Sequence, residues 1–445
     1  IEAGKYSLDK ERFNLPKTLY GVAQMFTACA NAKGIELFLD HAGDVPDYVH
    51  GDGKRLRQIV LNLVSNAVKF TEHGEVCIRM RLAGKPDASN RVLVRIEVSD
   101  TGPGLTEEQR QHIFEPFYQA GTSYNQQQSG TGLGTTISAN LVRLMHGNIG
   151  VESKAGQGCT FWFEIPWDCE PGEPVDLSAH AQAYPLVIYE SHPTSRQILQ
   201  DYSTSLGWPC RISAQQAQLI DAIERELKAG RQPVVLLSEL ACSEQCTSLA
   251  RMLRSMFADR ISIGMLVHLS RLHEISTEQR ELTDQYLSMP VTRQRLRKML
   301  LAMTGQAQTG GAQEQHTSST VSRFLRILVA EDSPINARVI TTFLAQDGHR
   351  VDHVENGRLA LEALQHNGYD LVLMDMRMPE LDGMETTRQW RAQENDEQHI
   401  PIIALTANAT TEDRNNCLAA GMDEFLSKPV SQEQLRKLIK SFSEH

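Results

Sequence analysis

The stretch from Leu371 to Gly383 reads LVLMDMRMPELDG. Four apolar residues run straight into Asp375, and Pro379 and Gly383 then break the run. A parallel strand buried on both faces has this texture, and a doubly wound fold places its chemistry at the carboxyl ends of such strands. Working outward, Ile327 to Ala330 is a second apolar run and ends in Glu331-Asp332. Ile402 to Leu405 ends at Thr406, and a run around Phe425-Leu426 ends at Lys428-Pro429. Four strand ends therefore offer an acid pair, a lone carboxylate, a hydroxyl and an ammonium. Carboxylates about 4 Å apart repel by roughly 4 kcal/mol at an effective dielectric near 20. Three of them at one edge need a cation.

From Phe324 to about Phe442 this pattern resembles the receiver domain of two-component signalling. The resemblance implies a flavodoxin-like (βα)5 fold with Asp375 as phosphoacceptor. It also implies Mg²⁺ held by Glu331, Asp332 and Asp375, because hard oxygen ligands and a phosphoryl substrate suit that ion. Lys428 would neutralise charge as Asp375 attacks phosphorus. Thr406 and Phe425 would be the hydroxyl and ring that shift afterwards. Arg377 and Asn408 lie two residues past Asp375 and Thr406, where receivers tune phosphate lifetime. A solvated loop is an equally good reading of those two.

The segment from Tyr184 to Ala302 repeats the same text without the charges. Asp284 to Lys298, DQYLSMPVTRQRLRK, matches Asp423 to Lys437, DEFLSKPVSQEQLRK. Ser238 stands where Asp375 does, Ser191 where Asp332 does, and Met289 where Lys428 does. A serine without a base is a poor nucleophile, and Met cannot bind phosphate. Residues 184–303 therefore read as a second (βα)5 module that has lost its phosphoacceptor, with a docking, spacing or regulatory role. Polar, aperiodic stretches at 168–183 and 304–322 read as linkers.

Toward the amino end, Lys54 to Phe70 has helical apolar spacing, and Asn62, Asn66 and Lys69 share another face. Alone, that face reads as a solvated surface. A strand-like run then ends at Asp100-Thr101-Gly102-Pro103-Gly104, and Ile113-Phe114-Glu115-Pro116-Phe117 follows. Gly130-Thr131-Gly132-Leu133-Gly134 opens an apolar helix, where glycines let backbone N–H groups approach phosphate. In this order, over Phe13 to Pro166, the set resembles the Bergerat-fold ATP-binding domain of histidine kinases, a mixed α/β sandwich with helices on one face.

That resemblance implies ATP with Mg²⁺. Asp100, flanked by Gly102 and Gly104, would accept from the adenine amino group. Asn66 would be the main metal ligand with Asn62 beside it, and Lys69 would touch phosphate. Gly130, Gly132, Leu133 and Gly134 would shape the lid, Phe114 and Phe117 would pack it, and Thr160 would back adenine. Thr135-Thr136 departs from the family's usual Leu-Ala or Leu-Ser. Residues 1–12, opening IEAGK, resemble the end of a dimerisation helix, so the phosphoacceptor His is expected upstream; none of the 15 His sits in that family's acceptor motif.

The net charge of −11 argues against nonspecific nucleic-acid binding. The 8 Cys residues form no paired metal-ligand spacing. No apolar run approaches the roughly 20 residues that span a bilayer. The combined reading is the catalytic and receiver portion of a hybrid sensor histidine kinase, on the cytoplasmic side of an inner-membrane-anchored, homodimeric protein. Its expected partners are its own upstream His domain, a histidine phosphotransfer protein and a separate response regulator. The alternative is a nucleotide-binding docking module that regulates other kinases and drains phosphate from them.

Overall fold

The computed structural model describes residues 8–84, 91–118, 133–169, 177–241, 243–268, 271, 275–305, 325–366, 368–394, 399–406, 416–428, 430 and 432–443. Gly130, Gly132, Asn408, the opening residues 1–7 and residues 306–322 of the second linker lie outside these. The chain divides into two compact units, Ile1–Thr309 and Gly310–His445.

The first unit opens with β1 (Glu11–Asn14), α1 (Leu15–Lys33), β2 (Ile35–His41), β3 (Tyr48–Gly51) and α2 (Gly53–Phe70). Next come β4 (Gly74–Leu82), β5 (Arg91–Asp100), α3 (Glu107–His112), α4 (Gly134–Leu144), β6 (Asn148–Ser153) and β7 (Cys159–Cys169). The strands form one sheet in the order β1-β3-β7-β5-β4-β2, with β6 also on β7. Pairing is antiparallel except between β2 and β4. Asp52 caps α2 by accepting from the Arg55 N–H at 2.9 Å. The buried stripe Leu56, Ile59, Val60, Leu63, Val64 and Ala67 is the periodicity seen in the sequence. Alternation in β5 sends Val92, Val94, Ile96 and Val98 into the core and leaves Arg95, Glu97 and Ser99 on the sheet's other face.

Part of that other face is covered by the second module of the same unit. The stretch read as a linker at 168–183 is only partly one. Strand β7 runs to Cys169, and Ser178–Ala183 forms a short helix, α5, behind the buried Leu177. Then follow β8 (Leu186–Tyr189), α6 (Pro193–Ser205), β9 (Cys210–Ser213), β10 (Val234–Ser238), β11 (Ser262–His268) and β12 (Gln285–Met289). They build a five-stranded parallel sheet in the order β12-β11-β10-β8-β9. This is the doubly wound order the repeat implied.

The two modules share a core. Phe38 and Cys77, from neighbouring positions of β2 and β4, are buried with Tyr202, Ile198 and Met289. Tyr202 is fully buried, and its hydroxyl bridges the free edge of β2: it donates to Leu39 O at 2.7 Å and accepts from His41 N at 3.1 Å. An unpaired sheet edge is thereby closed by a side chain. A final helix of the module, Arg293–Met303, adds Arg293 on Gly43 O at 2.6 Å and on Asp47 at 3.1 Å, and Arg295 on the Tyr20 hydroxyl at 2.6 Å.

The second unit contains β13 (Arg326–Ala330), β14 (Arg350–Val354), β15 (Leu371–Asp375), β16 (Ile402–Thr406) and β17 (Glu424–Ser427), in the order β14-β13-β15-β16-β17. All pairs are parallel, and β13, β15 and β16 are buried apart from a half-buried Arg326 at the start of β13. Helices Pro334–Gln346, Gly357–His366, Gly383–Arg391 and Gln432–Ser443 are among its helices.

Two tests follow from the shared core. Tyr202→Phe strands a buried N–H and C=O on β2, which costs about 1–3 kcal/mol. Calorimetry should show the melting of the first unit lowered by several degrees and that of the receiver unit unchanged. Glu36, on β2, is pushed up to about 7 by burial, then by the charges of Glu190 and Glu75. A raised carboxyl stabilises the fold fully below about 4.5, and that contribution fades as pH rises through 7. His268, 3.6 Å away, is lowered by burial and the Arg271 charge, so it acts with the opposite sign, fading as pH falls below 6.5. The melting temperature of Glu36→Gln relative to wild type should therefore climb from pH 5 to pH 8.

Candidate functional site

At the carboxyl edge of the second unit's sheet, β13 delivers Glu331 and Asp332, and β15 delivers Asp375. One oxygen from each lies within 4.8 Å of the others. Glu331 is fully buried and Asp375 nearly so, while Asp332 is exposed. Lys428, just past β17, places Nζ 2.5 Å from Glu331 Oε2 and 2.6 Å from Asp375 Oδ2. Its backbone N–H donates to Thr406 O at 2.7 Å, which pins the lysine turn to β16. Burial pushes the Glu331 carboxyl up, against the pull of Lys428 and Asn336. Three carboxylates and one ammonium leave an excess of negative charge at one point. The donor set therefore fits a hard divalent cation held by oxygen.

Two features of this site were not read from the sequence. Asn336 donates from Nδ2 to Glu331 Oε1 at 2.8 Å, fixing the carboxylate without cancelling its charge. His353 Nε2 lies 2.9 Å from Glu331 O. Gly383 does more than end the apolar run: it opens a helix so close to the strand that a Cβ there would lie 2.1 Å from Asp375 O. Thr406 is buried at the end of β16, and Phe425 is half-buried on β17 beside the core.

In the first unit the carboxyl end of β5 carries Asp100. Its Oδ1 accepts from Gly102 N at 2.8 Å and Cys159 N at 3.3 Å, which leaves Oδ2 to meet a ligand donor. Burial pushes this carboxyl up, and the two backbone bonds oppose it. Gly104, at φ 71°, lies so close to Lys154 that a Cβ would be 2.2 Å from its carbonyl. Gly158, at φ 83°, would place a Cβ 1.9 Å from Asp100 O. On α2, Asn62, Asn66 and Lys69 are half-buried, and the Lys69 ammonium lies 5.1 Å from the Phe70 ring.

Two expectations change. Thr160, expected to back adenine, does not share the face of Asp100. Register pairs Asp100 with Cys159 and Ser99 with Thr160, so Cys159 shares the face of Asp100 and Thr160 shares the opposite face. The Cys159 thiol, pushed up by burial, lies 3.2 Å from Ser153 Oγ. Asn62 is engaged with the lid helix: its Nδ2 donates to Gly134 O at 3.3 Å and Ser138 Oγ at 3.4 Å. Leu133 precedes that helix without a capping bond. Phe114 stacks edge-on against Phe161 at 6.2 Å and Phe117 is 73% exposed, while most of the lid they are expected to pack lies outside the described residues. Thr135 is buried within the lid helix, so the Thr-Thr departure leaves that helix intact.

In the receiver-like module the matching edge lacks the phosphoacceptor carboxylate and the lysine. Ser238 and Glu190 are fully buried and Met289 nearly so, with no ammonium among the described residues there to pair with Glu190. Glu190 instead accepts from His192 N at 2.8 Å and Ser195 Oγ at 2.6 Å.

Each site has a direct test. Asn336→Ala should weaken Mg²⁺ binding by about tenfold, as loss of a ligand-orienting partner does; Mn²⁺ titration by electron paramagnetic resonance reads this. Gly158→Ala should weaken nucleotide binding at least tenfold by displacing Asp100, and calorimetric titration with a non-hydrolysable ATP analogue checks it.

Residues 51–168 match the family of histidine kinase-, DNA gyrase B- and HSP90-like ATPases, and residues 327–440 match the response regulator receiver domain. The sensor histidine kinase GacS of Pseudomonas protegens is 33% identical over 99% of this chain and 48% of its own length. The signal transduction histidine-protein kinase BarA of Escherichia coli is 30% identical over 99% of this chain and 47% of its own. The chain thus spans about half the length of these curated relatives. The crystal structure of full-length ShkA in complex with AMPPNP aligns with 99% of this chain and 86% of that one, at 30% identity and a TM-score of 0.57. With an ATPase module, a receiver and a degenerate receiver between them, the chain belongs to the hybrid sensor histidine kinases.

Proposed function

We propose that this chain is the ATP-binding and receiver portion of a phosphorelay kinase. Phosphate would pass from ATP to a histidine in a dimerisation domain outside this chain, then to Asp375, then to the histidine of a phosphotransfer protein. The observation that carries the reading is the Asp375 carboxylate held 2.6 Å from Lys428, beside Glu331 and Asp332. Asp375 Oδ attacks the phosphorus of phosphohistidine; the P–N bond breaks, an acyl phosphate forms and imidazole leaves. Lys428 is placed to follow the charge from carboxylate to phosphoryl oxygens. Mg²⁺ held by Glu331, Asp332 and Asp375 would neutralise the equatorial oxygens.

At the other site, Asp100 Oδ2 would accept from an adenine amino group, its Oδ1 being held by Gly102 N and Cys159 N, and Asn66 and Lys69 would meet Mg²⁺-triphosphate from the α2 face. Of the docking, spacing or regulatory roles expected of the receiver-like module, the contacts support docking within this chain. The module's sheet edge and two helices are seated on the ATP-binding sheet, and its proposed role is to brace that sheet. A dimeric whole protein, anchorage in an inner membrane and relay to a separate response regulator belong to the same proposal. No helix among the described residues is long and apolar enough to cross a membrane.

The test mixes this chain with γ-labelled ATP, Mg²⁺ and the dimerisation domain. Label should appear on the His domain and move to wild type but not to Asp375→Asn. A His domain that stays unlabelled while nucleotide binds would overturn the kinase reading.

A further inference from the structure

The receiver-like module touches the ATP-binding sheet one residue away from the turn that carries Asp100. Glu75 sits on β4, beside the end of β5. Its backbone is tied to Thr101 in both directions: Glu75 N donates to Thr101 Oγ1 at 3.0 Å, and Thr101 N donates to Glu75 O at 3.2 Å. The Thr101 hydroxyl donates in turn to His73 O at 3.0 Å. The approach is so close that Gly74, at φ 104°, would place a Cβ 2.2 Å from Thr101 Oγ1. Thr101 joins Asp100 to Gly102, whose N–H holds Asp100 Oδ1 at 2.8 Å.

The side chain of Glu75 points to the other module. Thr194, in the first turn of α6, places its hydroxyl 2.9 and 2.8 Å from the two Glu75 oxygens and donates to the carboxylate. His192 Nε2 is 3.6 Å from Glu75 Oε2, and the His192 ring lies 4.9 Å from that of Phe38 on β2. These α6 contacts arise at the edge where a working receiver keeps its acid pair, next to Glu190. One residue thus has its backbone in the Asp100 turn and its carboxylate on the receiver-like module.

We propose that Glu75 is a positioning residue that links nucleotide binding at the Asp100 turn to the docking of the receiver-like module through Thr194. Ordering the turn with a bound nucleotide holds the Glu75 backbone, and a held Glu75 keeps Thr194 and the start of α6 in place. By linkage, the docked α6 returns the same free energy to nucleotide binding. The inference rests on reading the Asp100 site as a nucleotide site.

The test uses the full chain. Affinity for a non-hydrolysable ATP analogue with Mg²⁺ is measured for wild type, Thr194→Val, Glu75→Ala and the double variant, together with hydrogen exchange at Thr101, Gly102 and the first turn of α6. Thr194→Val and Glu75→Ala should each weaken binding about fivefold, at the low end of known couplings. The double variant should be no weaker than either single one, because both remove the same contact. Thr194→Ser, which keeps the donor, should restore wild-type affinity. The nucleotide should slow exchange at the start of α6 in wild type and not in Thr194→Val.

Equal affinity of Thr194→Val and wild type, or losses that add in the double variant, would overturn the link while leaving the nucleotide site standing. A wild-type chain that does not bind the analogue would overturn both.

Discussion

Carboxylates gathered at the carboxyl edge of a parallel sheet repel one another, and the two (βα)5 modules of this chain meet that constraint in opposite ways. The receiver keeps Glu331, Asp332 and Asp375 and balances them with Lys428, which grips two of the three. The balance is incomplete, and the remaining charge is what suits a divalent cation and a phosphoryl group. The receiver-like module has removed the problem instead. Ser191 and Ser238 carry no charge, Met289 offers none to pair, and Glu190, the one acid kept of the receiver's three positions, is satisfied by a backbone N–H and a hydroxyl. An edge that need not stay open to substrate can be covered, and α6 beside it is docked on the ATP-binding sheet.

That docking changes what the degenerate module is for. Burying Phe38 and Cys77 under Tyr202 and Ile198 gives the ATP-binding sheet a partner on the face that its own helices leave bare. A Phe or Ile side chain such as Phe38 or Ile198 contributes about 1.5–3 kcal/mol when fully buried. Tyr202 closes the edge of β2, and Arg293 and Arg295 hold the loop after it and α1. Burial at this interface, and after it the charges of Glu190 and Glu75, push the Glu36 carboxyl up to about 7. The module keeps the fold because the buried strands VVLLS and LVIY still pack, and its proposed role is that of a contact surface.

Much of this was legible in the sequence for a physical reason. Strand ends that carry chemistry are marked by a buried apolar run meeting a charge, so Asp375, Glu331, Lys428 and Asp100 could be read from local text. The degenerate repeat was legible too, since Ser238 and Met289 stand out against their counterparts. Thr160 and Cys159 were exchanged because a one-residue difference in strand register turns a side chain to the other face, and that register is set by pairing with β5 some 60 residues earlier in the chain. Asn336 was missed because its role depends on a Glu331 rotamer. The docking of Tyr202 on β2 and of Thr194 on Glu75 joins residues more than a hundred positions apart, and no periodicity announces such a contact. Leu177 was lost in a polar stretch, although its burial is what ends the linker.

If one receiver fold has kept its reaction and the other has become part of the ATP-binding body, only the first should accept a phosphoryl group. The most direct measurement exposes the whole chain to a small-molecule phosphoryl donor with Mg²⁺ and maps the modified residue by peptide mass spectrometry after borohydride trapping. The account predicts a single acyl phosphate, at Asp375, and an unmodified Ser238. A phosphoryl group on Ser238 or elsewhere in 184–303, or none at Asp375, would contradict it.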